Sequence, residues 1–318
     1  MAQPSNTFDS YDSVGIKEDL SDIISMISPE ETPLYSAIKK TKATNTYHEW
    51  QTDSLRSSAV NAHIEGDSTS ASARAATTRL GNRTQIFKDA VTVPDTDEGL
   101  SKSGRAREIG YQTLKAAKEQ RLDMEKAIFD NQAAVAGNST TARRMAGLGA
   151  WVATNTDFGA NEGADPTGDG SDARTDETTT LQAFSQARFD SVMQSIWEAG
   201  GKPDSVYLSA FQMAAALDFV GNNSQRSTIG AADGKVANLM SIYMTPWGNV
   251  EFVPSRECRA RDVYIIENSK VEFAILRPTK NVALGKTGDN TTRQITTEGT
   301  LVVRNEAALG GVFDNTTS

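Results

Sequence analysis

Cysteine and histidine are almost absent from this sequence. The 318 residues include one cysteine, Cys258, and two histidines, His48 and His63. A single cysteine cannot close an intrachain disulfide, and these three residues do not supply the ligand set of a structural zinc. We therefore expect no cofactors, and no catalytic, cofactor-binding or metal-ligating residues.

Long apolar runs and a secretion signal are also missing. No segment approaches the ~20 apolar residues that span a bilayer, and the start MAQPSNTFDSYDS lacks the basic and apolar regions of a secretory signal. We expect a cytosolic protein with no membrane partner. The chain carries 32 basic and 41 acidic residues, a net charge of −9, which disfavours tight or sequence-specific binding to nucleic acid.

Enzyme motifs are present only in incomplete form. Gly-Lys-Thr at 285–287 imitates the end of a phosphate-binding loop, but Lys280 stands where that motif needs a glycine. Gly-Leu-Gly at 147–149 could open a dinucleotide-binding turn, but Val152 replaces its third glycine. The acidic segment 157–177 lacks the ligand spacing of a calcium loop. We predict that the protein is not an enzyme, with a nucleotide-binding enzyme as the weaker alternative.

The first 44 residues are expected to form an arm rather than a domain. Apolar residues at three- and four-residue spacing predict a short helix that stops at Ser28-Pro29. Those residues are Ile16, Leu20, Ile23, Ile24 and Ile27. Thr32 and Pro33 predict the start of a second short helix over Leu34–Lys39, with Thr32 as its cap.

Residues 45–95 are expected to form a long β-hairpin. TYHEWQTDSL (46–55) and RLGNRTQIFKDAVTVP (79–94) are rich in β-forming residues. Between them, residues 57–78 are almost all small or polar and cannot form a core of their own. We therefore predict two extended strands that end in a projecting, low-complexity tip.

The rest of the chain divides into a long helix, a compact α/β pattern and further β-segments. Residues 104–136 lack proline and predict one helix, with an apolar stripe of Leu114, Ala117, Met124 and Ile128. Residues 181–280 alternate predicted helices and strands, including Val271–Leu276, and residues 281–318 add β-segments that can pair outside this compact part. Arm, hairpin and helix expose surface without a core, and copies of the same chain can cover such surface. We predict an assembly subunit.

Seven stretches, all in the first half of the chain, carry a family resemblance. They are EDLSDII (18–24), SPEETP (28–33), HEWQTDSL (48–55), EGD (65–67), RLGNRTQIF (79–87), RLDMEKAIFDNQA (121–133) and RRMAGLGAW (143–151). Together with the order of the segments, they resemble the major capsid (major head) proteins of tailed bacteriophages, which have the Hong Kong 97-type capsid fold. VPDTDEG (93–99) departs from the small serine-glycine-threonine turn expected in that family.

The resemblance implies an α+β fold with five parts. They are an N-terminal arm (1–44), an extended β-hairpin loop (45–95), a peripheral domain (96–180) with a spine helix at 104–136, an axial domain (181–280) and C-terminal return strands of the peripheral domain (281–318). The implied function is that of a structural subunit that self-assembles into hexamers and pentamers of an icosahedral phage head enclosing double-stranded DNA. An encapsulin-type compartment shell is the alternative with the same fold.

Partners and site residues follow from the same resemblance. The partners are further copies of the chain, portal, scaffolding and decoration proteins, and packaged double-stranded DNA through weak, non-specific contact. The protein would be assembled in the host bacterial cytoplasm and reside in the virion capsid. We expect no removal of an N-terminal segment by a maturation protease and no Lys–Asn crosslinks.

Two groups of residues are candidates for contacts. The expected intersubunit contacts are Ile16, Leu20, Ile23, Ile24, Trp50, Arg79, Arg83 and Phe87. Basic residues outnumber acidic ones between Ser101 and Arg144, and the expected weak DNA-facing contacts there are Arg105, Arg107, Arg121, Arg143 and Arg144. Ordinary solvated helix charge, with salt bridges to neighbours, is the alternative reading of this basic excess.

Overall fold

The structure is a computed structural model of the chain. It describes residues 31–68, 71, 74–102, 104–159, 163–217, 219 and 242–317. The apolar stripe predicted in the arm lies outside these residues, and so do its expected contact residues Ile16, Leu20, Ile23 and Ile24.

Helices and strands alternate irregularly along the described chain, as expected of a mixed α+β fold. The α-helices are α1 (Pro33–Ala37), α2 (Asp95–Glu98), α3 (Glu108–Phe129), α4 (Gln186–Glu198) and α5 (Ala210–Leu217). The strands are β1 (Lys39–Lys42), β2 (Tyr47–Thr52), β3 (Thr78–Arg83), β4 (Gln85–Pro94), β5 (Thr156–Asp157), β6 (Ser205–Leu208), β7 (Ile242–Thr245), β8 (Gly248–Pro254), β9 (Val263–Ile266), β10 (Val271–Ala283), β11 (Asn290–Val303) and β12 (Gly310–Val312).

These strands form three sheets. A four-stranded sheet has the order β1-β10-β11-β4, and a six-stranded sheet has the order β5-β12-β9-β6-β8-β7. The third sheet is the two-stranded hairpin β2-β3. In the four-stranded sheet β1 lies parallel to β10, while β11 lies between β10 and β4 and is antiparallel to both. Each larger sheet therefore joins strands from distant parts of the sequence.

The long helix α3 covers one face of the four-stranded sheet. Strand β4 alternates as a half-buried strand should, with Phe87 and Val93 buried and the residues between them partly or fully exposed. Gln120 of α3 is buried and binds both neighbouring strands. Its Nε2 donates to the Phe87 carbonyl at 3.0 Å, and its Oε1 accepts from Thr297 Oγ1 at 2.8 Å.

Helix α3 is shorter than the predicted span of 104–136. It begins at Glu108, after Gly104, which has a positive φ of 75°. It ends because Asp130 adopts an extended conformation, with φ −70° and ψ 147°. The following residues turn back, so that Val135 pairs with Arg144 in an isolated antiparallel bridge. This return brings an apolar patch, Met145–Val152, onto the end of the helix.

That apolar patch, Met145–Val152, is fully buried. Its approach to α3 requires glycine, because a Cβ on Gly147 would stand 2.2 Å from the Asp130 carbonyl oxygen. Gly149 is equally confined, with a Cβ position 2.8 Å from the Cα of Asn131. The glycine pair that imitates a dinucleotide-binding turn therefore serves close packing against a helix end.

Two apolar clusters form the core. One lies between α3, the four-stranded sheet and the inner face of the six-stranded sheet, and it includes Trp151, Phe129 and Tyr264. The other lies between the opposite face of the six-stranded sheet and the helices α4 and α5, with Phe189 and Val206 among its members. The six-stranded sheet is thus covered on both faces.

The strand pairing corrects three predicted boundaries. The second β-run divides at Thr84: β3 pairs with β2, whereas β4 joins the four-stranded sheet through β11. Strand β10, assigned in part to the axial segment 181–280, pairs with β1 and β11 in the four-stranded sheet. Strand β12, assigned to the peripheral return strands, pairs with β5 and β9 in the six-stranded sheet.

A helix that spans a membrane must be both long and apolar. Among the helices of the described residues, none has both the length and the apolar composition that such a span requires.

Candidate assembly interface

The β2-β3 hairpin is fixed at its base and free at its end. Trp50 of β2 packs on Trp151, with ring centroids 5.4 Å apart. The side-chain amide of Asn82, in β3, forms hydrogen bonds with two different segments. Its Nδ2 donates to the Leu301 carbonyl at 2.8 Å and its Oδ1 accepts from the Ala146 amide at 2.9 Å. The base of the hairpin is therefore held to two separate segments, residues 146–151 and strand β11.

Beyond the paired strands, the chain exposes large apolar side chains to solvent. Leu55, Val60 and Ile64 are 98%, 96% and 84% exposed. They lie in a loop, residues 53–68, that contains no helix or strand and in which all side chains are exposed. Exposed apolar groups clustered on one projecting segment are typical of an interaction site. The segment 57–78, predicted to form a low-complexity tip, thus includes two exposed apolar side chains, Val60 and Ile64.

The residues predicted to make intersubunit contacts divide into two groups. Trp50 and Phe87 are 5% and 6% exposed in the single chain, so both belong to its own core, and their assignment to an interface is corrected. Arg79 and Arg83 do lie on the hairpin surface. Arg79 pairs with Glu49 across the strands, and the Arg83 guanidinium lies 4.3 Å from the centre of the Tyr47 ring.

A second candidate surface is the face of the four-stranded sheet opposite α3. Alternation along β4 places its exposed residues there, and cross-strand partners in β11 and β10 share the face. The exposed residues of this open sheet face are Ile86, Lys88, Ala90, Thr92, Lys280 and Val282. An uncovered sheet face of mixed apolar and cationic side chains is suited to contact with another protein surface.

The layer of α4, α5 and the far edge of the six-stranded sheet carries a third set of exposed apolar side chains. Trp197 of α4, Phe211 of α5 and Met244 of β7 are all exposed, although their neighbours in sequence are packed into the core. Sequence periodicity alone did not single out these residues as surface groups.

The five arginines predicted to face DNA do not form one uniform set. Arg105 lies 2.5 Å from Glu108, and Arg107 is 4.0 Å from Glu98. Arg143 pairs with the buried Glu298 and donates from Nε to the Thr84 carbonyl at 2.6 Å. Its part in contacting DNA is therefore corrected, because the guanidinium is committed to an internal contact. Arg121 and Arg144 are exposed.

Cys258 and Lys286, whose residue types could serve in a reaction or in nucleotide binding, make structural contacts instead. The Cys258 thiol is buried and lies 3.5 Å from the Asp262 carbonyl, and burial raises its pKa well above the usual range. Lys286, in the imitation phosphate loop, contacts Asp95 instead. Among the described residues, no cluster of three or more His, Cys, Asp or Glu side chains is arranged to hold a metal ion.

Sequence reasoning missed the buried charged groups that shape the subunit. Arg174 contacts Asp262 through both carboxylate oxygens, at 2.8 and 2.9 Å, with both side chains fully buried. Arg259 and Arg174 both bind Asp176. Burial alone would raise the pKa of Asp176, but these hydrogen bonds and charges lower it to about 2. No local sequence pattern marks the Arg174–Asp262 and Arg259–Asp176 pairs, because the partners of each pair lie on separate segments.

The likeness to known proteins agrees with this architecture. The family described as SU10 major capsid protein matches residues 3–316. The major capsid protein of Escherichia phage Phieco32 is 27% identical, over 98% of each chain.

Solved structures extend the likeness to the fold. The capsid of a native GTA particle has a TM-score of 0.61 at 11% identity, covering 96% of this chain and 98% of the other. The SrpI encapsulin of Synechococcus elongatus PCC 7942 has a TM-score of 0.56 at 11% identity, covering 95% and 93%. The predicted Hong Kong 97-type capsid fold is confirmed. Because the family match spans nearly its whole length, the chain belongs to the SU10 major capsid protein family and is a structural subunit of a capsid shell.

Proposed function

We propose that this chain forms the icosahedral head of a tailed bacteriophage, as hexamers and pentamers that enclose double-stranded DNA. The observation that carries the proposal is the projecting loop with Leu55, Val60 and Ile64, which are exposed on the single chain. Burying three such side chains against another copy would contribute about 1.5–3 kcal/mol each. Repetition of that contact around closed symmetry favours a shell.

Each candidate surface has a place in this proposal. The hairpin loop lies across a neighbouring subunit. The four-stranded sheet with α3 forms the peripheral part, and the six-stranded sheet with α4 and α5 forms the axial part. Trp197, Phe211 and Met244, which are exposed on the axial part, then contact neighbours around the five- and sixfold axes. The role is structural, and the proposal assigns the chain no enzyme activity.

The remaining partners are proposed from the charge of the chain and from the family to which it belongs. Packaged DNA touches the shell weakly, through exposed arginines such as Arg107, Arg121 and Arg144, while the net charge of −9 prevents tight binding. Portal, scaffolding and decoration proteins complete the particle. Assembly takes place in the host bacterial cytoplasm, and the mature protein resides in the virion.

An encapsulin-type compartment is the second candidate, because an encapsulin shares the fold. The two candidates are distinguished by the contents of particles purified from bacteria that express this chain together with the other structural proteins of the phage. We expect them to contain double-stranded DNA, whereas packaged enzyme in place of DNA would support the compartment.

Negative-stain electron microscopy of the purified full chain tests the proposal directly. We expect closed shells, or hexameric and pentameric rings, of uniform size. A chain that stays monomeric or forms only a small discrete oligomer at every concentration and salt tested would refute it. A marked rise in Tm on adding nucleotide to such an oligomer would instead support the nucleotide-binding alternative.

A further inference from the structure

The direction in which the hairpin projects is decided within a few residues. The last backbone hydrogen bond of the hairpin runs from the Thr84 amide to the Thr46 carbonyl, at 2.8 Å. The next residue, Gln85, begins β4 and already pairs with Gly299 of β11. Thr84 is therefore the single residue between two sheets, and it is fully buried.

The buried carboxylate of Glu298 contacts residues from three segments around Thr84. Glu298 of β11 accepts a hydrogen bond from Thr84 Oγ1 at 2.8 Å and another from Arg277 Nε at 2.6 Å. It also pairs with Arg143, whose Nε donates to the Thr84 carbonyl at 2.6 Å. We call these four residues, Thr84, Arg143, Arg277 and Glu298, the hairpin joint.

An irregularity in the sheet supplies one member of the joint. The register between β10 and β11 shifts between Ile275 and Arg277, and shifts again before Lys280. As a result Arg277, rather than Leu276, stands opposite Glu298. Bulges of this kind commonly re-aim a side chain. Here the bulge places Arg277, rather than the apolar Leu276, beside the buried Glu298 carboxylate.

Side-chain amides hold the residues on either side of Thr84 to the segment that carries Arg143. Asn82 exchanges hydrogen bonds with the backbone of Ala146, and Gln85 Oε1 accepts from the Met145 amide at 3.2 Å. The joint thus links the hairpin, the strand pair β10-β11 and the segment after α3. The Glu298 carboxylate contacts a residue of each of these elements, namely Thr84, Arg277 and Arg143.

We propose that Glu298 is a positioning residue, and that the hairpin joint fixes the angle at which the hairpin leaves the sheet and so controls assembly. This inference rests on the proposed function, because the angle matters only if the loop must reach another copy. Neutralising Glu298 would leave the partly buried Arg143 and the exposed Arg277 without their carboxylate partner, and would free Thr84 to reorient. The subunit core, which lies elsewhere, would remain folded.

The joint also has a defined response to acid. Arg143 and Arg277 are the charged groups that face Glu298 among the described residues, and β4 places Ile86 opposite it. Burial acts to raise the pKa of Glu298, but hydrogen bonds from Thr84 and Arg277 and the two positive charges lower it. A carboxylate with a lowered pKa stabilises the folded arrangement above its ordinary pKa, and this contribution is lost as pH falls below that value.

The test compares Glu298→Gln with Glu125→Gln in the full chain at neutral pH. Both residues are buried carboxylates, but Glu125 binds the Leu34 and Tyr35 amides, far along the sequence from the joint. We expect Glu298→Gln to lower the yield of shells or capsomers about tenfold, while circular dichroism shows a folded chain. Hydrogen exchange should accelerate at residues 78–85 and not in β9 or β6. Glu125→Gln should assemble normally.

A second variant keeps the test decisive if Glu298→Gln does not fold. Arg277→Gln removes a partner whose side chain is 53% exposed, so folding should be retained, and a smaller loss of assembly with the same local exchange pattern is expected. Wild-type assembly by both joint variants would overturn the inference, as would faster exchange spread evenly over the sheets. If the wild-type chain itself forms no shells or capsomers, the proposed function fails instead.

Discussion

Buried ion pairs make individual residues of this subunit unusually sensitive to substitution. Arg174 is fully buried, faces Asp262 through two hydrogen bonds and lies 3.7 Å from the centre of the Phe313 ring. Asp262→Ala removes the fully buried partner of that cation and leaves the more exposed Asp176 beside it. We expect a loss of about 3–5 kcal/mol of unfolding free energy, measured by urea denaturation.

An exposed acidic residue provides the control for this substitution. Glu198→Gln, at the exposed end of α4, should change the unfolding free energy by less than about 0.5 kcal/mol. Equal effects of the two substitutions would show that the Arg174 pair has no special role.

Asp176 predicts a specific acid response. Its pKa is about 2, below the ordinary 3.8, because the bonds and charges of Arg259 and Arg174 outweigh its burial. The stability from this depressed pKa is complete above the ordinary pKa and disappears as pH falls from about 4 to about 2. We expect Tm to fall through this range and Asp176→Asn to flatten the fall. An unchanged acid profile in that variant would contradict the assignment.

The cap of α1 shows where residue-level prediction failed. Thr32 was the expected cap, but its side chain makes no capping hydrogen bond. Glu125 of α3 instead accepts from the Leu34 and Tyr35 amides, at 3.0 and 2.6 Å. A local pattern can predict that a helix begins at Pro33, but not that a residue some 90 positions away satisfies its first amides.

Helix α3 illustrates the same limit at the level of an element. Its existence, its place in the chain and two members of its predicted stripe, Met124 and Ile128, agree with the sequence prediction. Leu114 is exposed, however, and Gln120 is buried between β4 and β11. Periodicity ranks side chains by polarity, so it cannot identify a polar side chain whose hydrogen bonds are satisfied across a sheet.

The close approach of two elements predicts a strict requirement for glycine. An alanine Cβ at position 147 would stand 2.2 Å from the Asp130 carbonyl and 3.0 Å from that of Ala127, both backbone atoms of the helix end. We expect Gly147→Ala to cost about 1–3 kcal/mol in unfolding free energy. Gly285→Ala is the matched control, because nothing lies within 4 Å of its Cβ position. Equal Tm values for the two variants would contradict this packing.

The hairpin loop should be needed for assembly and not for folding. Replacing Leu55, Val60 and Ile64 by serine removes its exposed apolar groups, so we expect an unchanged Tm but no shells by electron microscopy. Serine at the exposed polar positions Arg56, Asn61 and Glu65 is the matched control and should leave shells intact. Normal shells from the apolar triple variant would refute the proposed contact.

The hairpin also shows which pairings the sequence could predict. The strand propensity of residues 79–94 is correct throughout, but the run serves two sheets, with Thr84 at the division. A continuous β-run carries no signal for a change of partner. At the division, Thr84 binds Glu298 and Arg143, which lie 214 and 59 positions away in the sequence.

At the scale of the whole molecule, the net charge of −9 predicts that the chain does not bind DNA tightly. Unassembled chains should show no binding to double-stranded DNA in ~150 mM salt, because screening leaves isolated arginines little attraction for phosphate. Gel-shift or fluorescence-anisotropy titration measures this. Tight binding at that salt concentration would show that the shell contributes a dedicated DNA-binding surface.

The strand order has a consequence for synthesis on the ribosome. Strand β1 pairs with β10, with Lys39 opposite Glu272, and the six-stranded sheet is completed between β5 and β12, with Val312 opposite Asp157. Neither sheet can close until nearly the entire polypeptide has emerged, and such long-range pairing forms slowly. A nascent or prematurely terminated chain therefore lacks both finished sheets. A chain that ends before residue 290 lacks β11 and β12, so it would not have the two folded sheets from which a shell is built.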